Sequence, residues 1–137
     1  MDKRLFFLLN MAQRKLFNYV DIVCEDALDA SVTQLAALLY IAKNPGCLQK
    51  EVATALSLNK SAVTGLIVRM ERNDLVERTA CEEDARAIKL YSTPEGIQKT
   101  DDLMPFIDEL NELFSEEFND KEIETVLKFL NFILKRF

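Results

Sequence analysis

Residues 60–96 read KSAVTGLIVRMERNDLVERTACEEDARAIKLYSTPEG. Three patterns follow one another in this run. Val63, Leu66, Ile67 and Met70 recur at helical spacing, so residues 60–73 form a helix with those four side chains inward. Residues 75–79 and 87–91 are short, alternating and rich in residues that favour strands. Between them Glu82, Glu83, Asp84 and Arg86 form a polar stretch, which reads as the turn of a two-stranded hairpin. Thr93 then serves as the N-cap of a further helix, with Pro94 at its first position.

Working upstream, residues 49–56 form a helix with Val52, Ala53 and Leu56 on its inner face. Ser57, Leu58 and Asn59 make a tight turn, and Asn59 caps the helix that follows. Two short helices joined by a tight turn are a helix-turn-helix, and the hairpin adds a wing. An earlier helix spans 34–43, with Thr33 as its N-cap, and Asn44, Pro45 and Gly46 stop it. At the N-terminus Leu5, Leu9, Ala12, Leu16, Tyr19 and Val23 form one helical stripe, ended by a break over 29–33. Downstream, the fifth helix extends to Phe118, with Pro105 either kinking or breaking it. Asn119 and Asp120 open a sixth, striped with Ile123, Val126, Leu127, Leu130, Ile133, Leu134 and Phe137. The expected fold is mainly α with a small β-hairpin wing, a winged helix-turn-helix core over 33–92 flanked by long helices over 1–30 and 94–137. All of it forms a single domain, 1–137.

Composition narrows the function. A chain of 137 residues is long enough to build a core. No apolar run is long enough for a membrane span, and the basic, briefly apolar start lacks the features of a signal peptide, so a cytoplasmic protein is expected. The chain has no histidine, which removes the commonest general base and transition-metal ligand. Cys24, Cys47 and Cys81 are odd in number and widely spaced, unlike a disulfide framework or a zinc site. With three glycines and no phosphate-binding loop, neither an enzyme nor a cofactor site is expected. The net charge is −6, but it is unevenly spread. Residues 48–91 hold 7 basic and 7 acidic side chains, whereas residues 92–137 hold 5 and 11. A local basic face in the middle is therefore compatible with the acidic total.

The helix over 60–73 points Lys60, Ser61, Thr64, Gly65, Val68 and Arg72 outward or to its flanks. Hydroxyls and free amides at a helix start suit phosphates and base edges. Gly65 permits close approach of a surface, at a helix cost of roughly 1 kcal/mol. Arg69 and Arg72 follow a turn or two later. The plain alternative is an ordinary solvated face.

The same residues resemble the MarR family of winged-helix transcription regulators. The family's Ser-x-x-Thr recognition helix is met by Ser61 and Thr64. Its entry into the wing is met by Met70, Leu75, Val76 and Arg78. Its Asp-x-Arg at the far side of the wing is met by Asp84 and Arg86, and its Leu-x-x-Thr-x-x-Gly by Leu90, Thr93 and Gly96. The resemblance covers essentially the whole chain. It departs at Gly65, where a basic residue is common, at Asn73 and Asp74, where Lys-Gly is usual, and at Leu48, where Thr or Ser commonly caps.

The resemblance implies a sequence-specific, double-stranded-DNA-binding regulator. It would be a homodimeric repressor on a pseudo-palindromic operator, released by a small aromatic or phenolic ligand. Lys60, Ser61, Thr64 and Arg69 would serve the major groove and its phosphates, with Lys50, Arg72 and Lys89 as phosphate contacts. Arg86 would enter the minor groove, where negative potential concentrates. Asp84 would hold Arg86 or Arg78, making Asp84 and Arg78 the wing supports. The surplus of apolar residues at both ends, including Leu5, Phe6, Leu9, Phe132, Ile133 and Phe137, fits a dimer interface. Among the thiols, Cys81 is expected to be exposed and Cys47 to have the most favourable setting for a sensor, although inert thiols are the simpler expectation. The rival reading is a winged-helix module that binds a protein through the acidic last third.

Overall fold

The computed structural model describes residues 1–137. The elements in chain order are α1 (Leu5–Leu28), α2 (Val32–Lys43), β1 (Cys47–Leu48), α3 (Gln49–Ala55), α4 (Lys60–Arg72), β2 (Val76–Ala80), β3 (Ile88–Ser92), α5 (Pro94–Glu117) and α6 (Asp120–Arg136). They form two compact units, Met1–Leu103 and Met104–Phe137. No helix is long and apolar enough to cross a membrane.

In the first unit α1 ends at Asp29, which takes a left-handed backbone (φ 52) while its N–H still bonds the Glu25 carbonyl. The cap of α2 is Ser31, not Thr33. The Ser31 Oγ accepts from the Gln34 N–H at 3.1 Å, and the Gln34 Oε1 accepts from the Ser31 N–H at 3.4 Å. Such a reciprocal box needs a Glu or Gln three residues on. Ser31 has Gln34 there, whereas Thr33 has Ala36. Asp21 adds a second cap from α1, its Oδ1 accepting from the Val32 N–H at 2.8 Å.

The core of this unit takes Leu35, Leu38 and Ile41 from α2 and Val52 from α3. The expected face of α4 is buried in full at Val63, Leu66, Ile67 and Met70, and Leu75, Val76 and Leu90 come from the wing. The sheet has three antiparallel strands in the order β1-β3-β2, where the sequence suggested two. Cys47 pairs with Leu90 and Leu48 with Lys89, so β3 holds the residues that lead into α3. A two-residue strand has no periodicity to read, so the sequence pattern alone does not reveal it. Both wing strands also begin one residue later than their alternation suggested. At β2 the reason is local. Leu75 closes the end of α4, its N–H bonding the Met70 carbonyl at 2.9 Å while its side chain is buried.

Thr93 caps α5 as expected, its Oγ1 accepting from the Gly96 N–H at 3.0 Å. Its hydroxyl donates to the Asp74 carbonyl at 2.5 Å, which fastens the start of α5 to the end of α4. Pro105 does not break α5, which is helical through it. The second unit holds the rest of α5 and α6. Asn119 and Glu122 form a capping box at the start of α6. Asp120 and Glu122 in its first turn, and Lys135 and Arg136 in its last, suit the helix dipole. No side chain of this unit is buried.

Candidate nucleic-acid interface

The turn between α3 and α4 is built without glycine. Ser57 takes a left-handed backbone (φ 54), and the Leu58 N–H bonds the Ala53 carbonyl at 2.9 Å. This is the six-to-one bond of a Schellman ending. Asn59 then starts α4, its Oδ1 accepting from the Ala62 N–H at 2.8 Å. Leu48, where a hydroxyl cap is usual, offers α3 no side-chain acceptor. Glu51 compensates in part by accepting from the Leu48 N–H at 2.9 Å.

On α4 the buried stripe turns Lys60, Ser61, Thr64, Arg69 and Arg72 to solvent. Gly65 and Val68 are half-buried. The Arg69 Nη1 lies 3.4 Å from where a Cβ would stand on Gly65, so the arginine lies over the bare backbone. Lys50 is exposed at the start of α3. One contact was not anticipated: the Gln49 Nε2 donates to the Thr64 Oγ1 at 3.2 Å and bridges the two helices. A glutamine ahead of a helix gives no sequence signal for such a bridge.

The acidic loop of the wing has a specific internal order. The Ala87 N–H bonds the Asp84 carbonyl at 3.0 Å, and the Asp84 Oδ1 accepts from the Arg86 N–H at 3.0 Å. Asp84 thus opens a tight turn and fixes its own backbone two residues on, as aspartate does in turns. It holds the backbone of Arg86 and leaves the guanidinium exposed. Arg78 is not held by Asp84. Its Nε pairs with the Glu71 Oε1 at 3.2 Å, joining β2 to α4. Lys89 lies on the central strand opposite Thr79 and Leu48, and is half-buried.

Most cations of the chain lack a carboxylate partner. The chain has two ion pairs, Arg4 with Asp2 and Arg78 with Glu71. Lys50, Lys60, Arg69, Arg72, Arg86 and Lys89 have no carboxylate partner. Their charge remains available to an external anion, and the free amides at the start of α4 add to it.

The cysteines differ from expectation. All three are buried, including Cys81 in the wing. Burial pushes the Cys24 thiol above its ordinary pKa, and Asp21 adds to the rise. Burial does the same to Cys47, with Glu51 adding to it. The favourable helix-start position of Cys47 is therefore outweighed, because a thiolate there is both desolvated and beside a carboxylate.

Residues 28–87 match the family model described as MarR family. Over that stretch the chain is similar to the MarR family. The matched region runs from the end of α1 to the wing and so contains α3, α4 and the Asp84–Arg86 turn. Among curated proteins, the chain is 28% identical over 96 residues to the HTH-type transcriptional regulator BilQ of Clostridioides difficile, covering 70% of this chain and 65% of that protein. Two further relatives are covered over 56% and 62% of their lengths, so the chain spans less than two thirds of the curated relatives it matches. Among solved structures it superposes on the S. aureus MepR–DNA complex with a TM-score of 0.84 at 23% identity, covering 95% of each chain. It also superposes on the PcaV regulator of Streptomyces coelicolor, solved with its natural ligand, with a TM-score of 0.78 at 20% identity, covering 90% of this chain and 89% of that one. At these identities the structural likeness establishes a shared winged-helix fold.

Proposed function

We propose that this chain is a MarR-type, sequence-specific regulator that binds double-stranded DNA as a homodimer and acts as a repressor relieved by a small aromatic ligand. The observation that carries the reading is the set of six cations without carboxylate partners, disposed on α3, α4 and the wing of a winged helix. The start of α4 enters the major groove, where Lys60, Ser61, Thr64 and Arg69 meet base edges and phosphates. Lys50, Arg72 and Lys89 contact the backbone, which positions the protein on the duplex. Arg86 enters the minor groove from the turn that Asp84 opens. The DNA bound by MepR supports this use of the fold, and the ligand of PcaV supports a ligand-controlled one. A ligand acts by binding one spacing of the two reading heads better than another, which shifts the population between them.

The dimer reading draws on apolar surface that a lone chain leaves in water. On α1, Phe6, Phe7, Met11, Tyr19 and Ile22 are exposed, and only Cys24 and Leu28 of its 24 residues are buried. On α6, Phe132 and Leu134 are exposed, as is Phe137 just past its end, and nothing is buried. Such patches mark association surfaces.

The test is fluorescence anisotropy with duplex from upstream of the protein's own gene, compared with random duplex. The wild type is expected to prefer the upstream duplex, and Arg86→Ala to weaken binding by about tenfold, the scale of a charge-assisted contact. No preference for any duplex would refute the reading. Absence of duplex binding would favour a protein-docking role for the acidic last third.

A further inference from the structure

The bridge between α3 and α4 fixes more than their spacing. Thr64 has one hydroxyl proton and two lone pairs. Its Oγ1 lies 2.8 Å from the Lys60 carbonyl, which can only accept, so the proton goes there. The Gln49 Nε2 lies 3.2 Å away and can only donate, so it takes one lone pair. In this orientation the Gln49 Oε1 is buried without a hydrogen-bond partner, whereas with the amide turned over two acceptors would compete for the one Thr64 proton. The hydroxyl is left with one free lone pair and nothing to donate, on an exposed face of α4.

Building on the DNA-reading proposal above, we infer that Gln49 is a positioning residue that makes Thr64 a hydrogen-bond acceptor, so that Thr64 selects a base carrying an amino group. In the major groove those groups are the cytosine N4 and the adenine N6. Guanine, which shows only acceptors there, is disfavoured at the position Thr64 faces, as is the O4 of thymine. Lys60, Arg69 and Arg72 cannot supply this preference, since lysine and arginine only donate. Gln49 itself makes no base contact. It keeps the hydroxyl from turning to donate.

The test is selection of bound sequences from a randomised duplex library, carried out with the wild type, Thr64→Val, Thr64→Ser and Gln49→Leu, with thermal melts confirming that all four fold. Valine keeps the methyl contact and loses the lone pair, serine keeps the lone pair, and leucine removes the amide that orients it. The wild type is expected to enrich cytosine or adenine at one position of each half-site. Thr64→Val should lower that preference about fivefold, the weight of one hydrogen bond, while leaving other positions unchanged. Thr64→Ser should retain it, and Gln49→Leu should relax it towards guanine and thymine. A wild type that selects a clear operator whose base preferences survive both Thr64→Val and Gln49→Leu would overturn the inference and leave the DNA-reading proposal standing. A wild type that enriches no sequence would remove both.

Discussion

Gly96 has a physical reason to be glycine, and it is not a turn. A Cβ there would stand 2.3 Å from the Leu75 carbonyl oxygen and 3.0 Å from a methyl of Leu38. The start of α5 lies against the backbone that closes α4, and Thr93 fastens it there through the Asp74 carbonyl. Gly96→Ala should therefore destabilise the protein by about 3 kcal/mol, the upper range of forced overpacking, measured by urea unfolding. A loss under about 0.5 kcal/mol would mean that α5 slides away at no cost. The resemblance named Gly96 without giving this cause, because a contact between residues 75 and 96 has no trace in either local pattern. The same limit applies to charged residues. The sequence showed that Asp84 stood near Arg86, but not that it held the backbone rather than the guanidinium. Arg78 found Glu71 on a neighbouring element, a partner that spacing in a strand does not reveal.

At the scale of elements, the stripe on α4 was readable because four apolar residues at helical spacing leave one solution, and all four are buried. Ends were harder. Ser31 and Thr33 are both good caps in isolation, and Gln34 decides between them. β1 exists only through its pairing with β3. Asp74 shows how such an end can be read energetically. It sits at the end of α4 with φ 59, the left-handed backbone usually given to glycine, and Leu75 completes the Schellman bond. An L-residue there costs about 1 kcal/mol, eased for aspartate by its short polar side chain. Asp74→Gly should stabilise the protein by about 0.5–1 kcal/mol in urea unfolding while keeping the Thr93 bond, which uses only the backbone carbonyl. A destabilised variant would show that the carboxylate has a role the backbone does not reveal.

For the whole molecule, the distribution of apolar surface predicts association. A helical pair with no buried side chain has no core of its own, and α6 is apolar along one face. The protein is expected to sediment as a dimer at about 10 μM, an ordinary concentration for an interface of moderate affinity. Phe132→Glu should give a monomer with its helical circular dichroism intact, since Phe132 is 60% exposed in the single chain and a charge there is tolerated until a partner covers it. A wild-type monomer, or a dimer unaffected by Phe132→Glu, would place the interface elsewhere or remove it. The same end helices were legible in the sequence as a surplus of phenylalanine, but which surface covers them was not, because a hydrophobic stripe carries no address.

If the chain reads DNA as proposed, the cations on α3, α4 and the wing neutralise its phosphates despite the acidic total. The most direct measurement is the dependence of duplex affinity on salt for the wild type and for Arg72→Ala. Affinity for upstream duplex should fall steeply with salt, with a logarithmic slope of roughly −0.9 for each phosphate neutralised. Arg72→Ala should make that slope shallower by about 1 for each protomer bound and weaken all sequences alike. A slope near zero, or one unchanged by Arg72→Ala together with unchanged affinity, would show that these cations do not meet DNA phosphates.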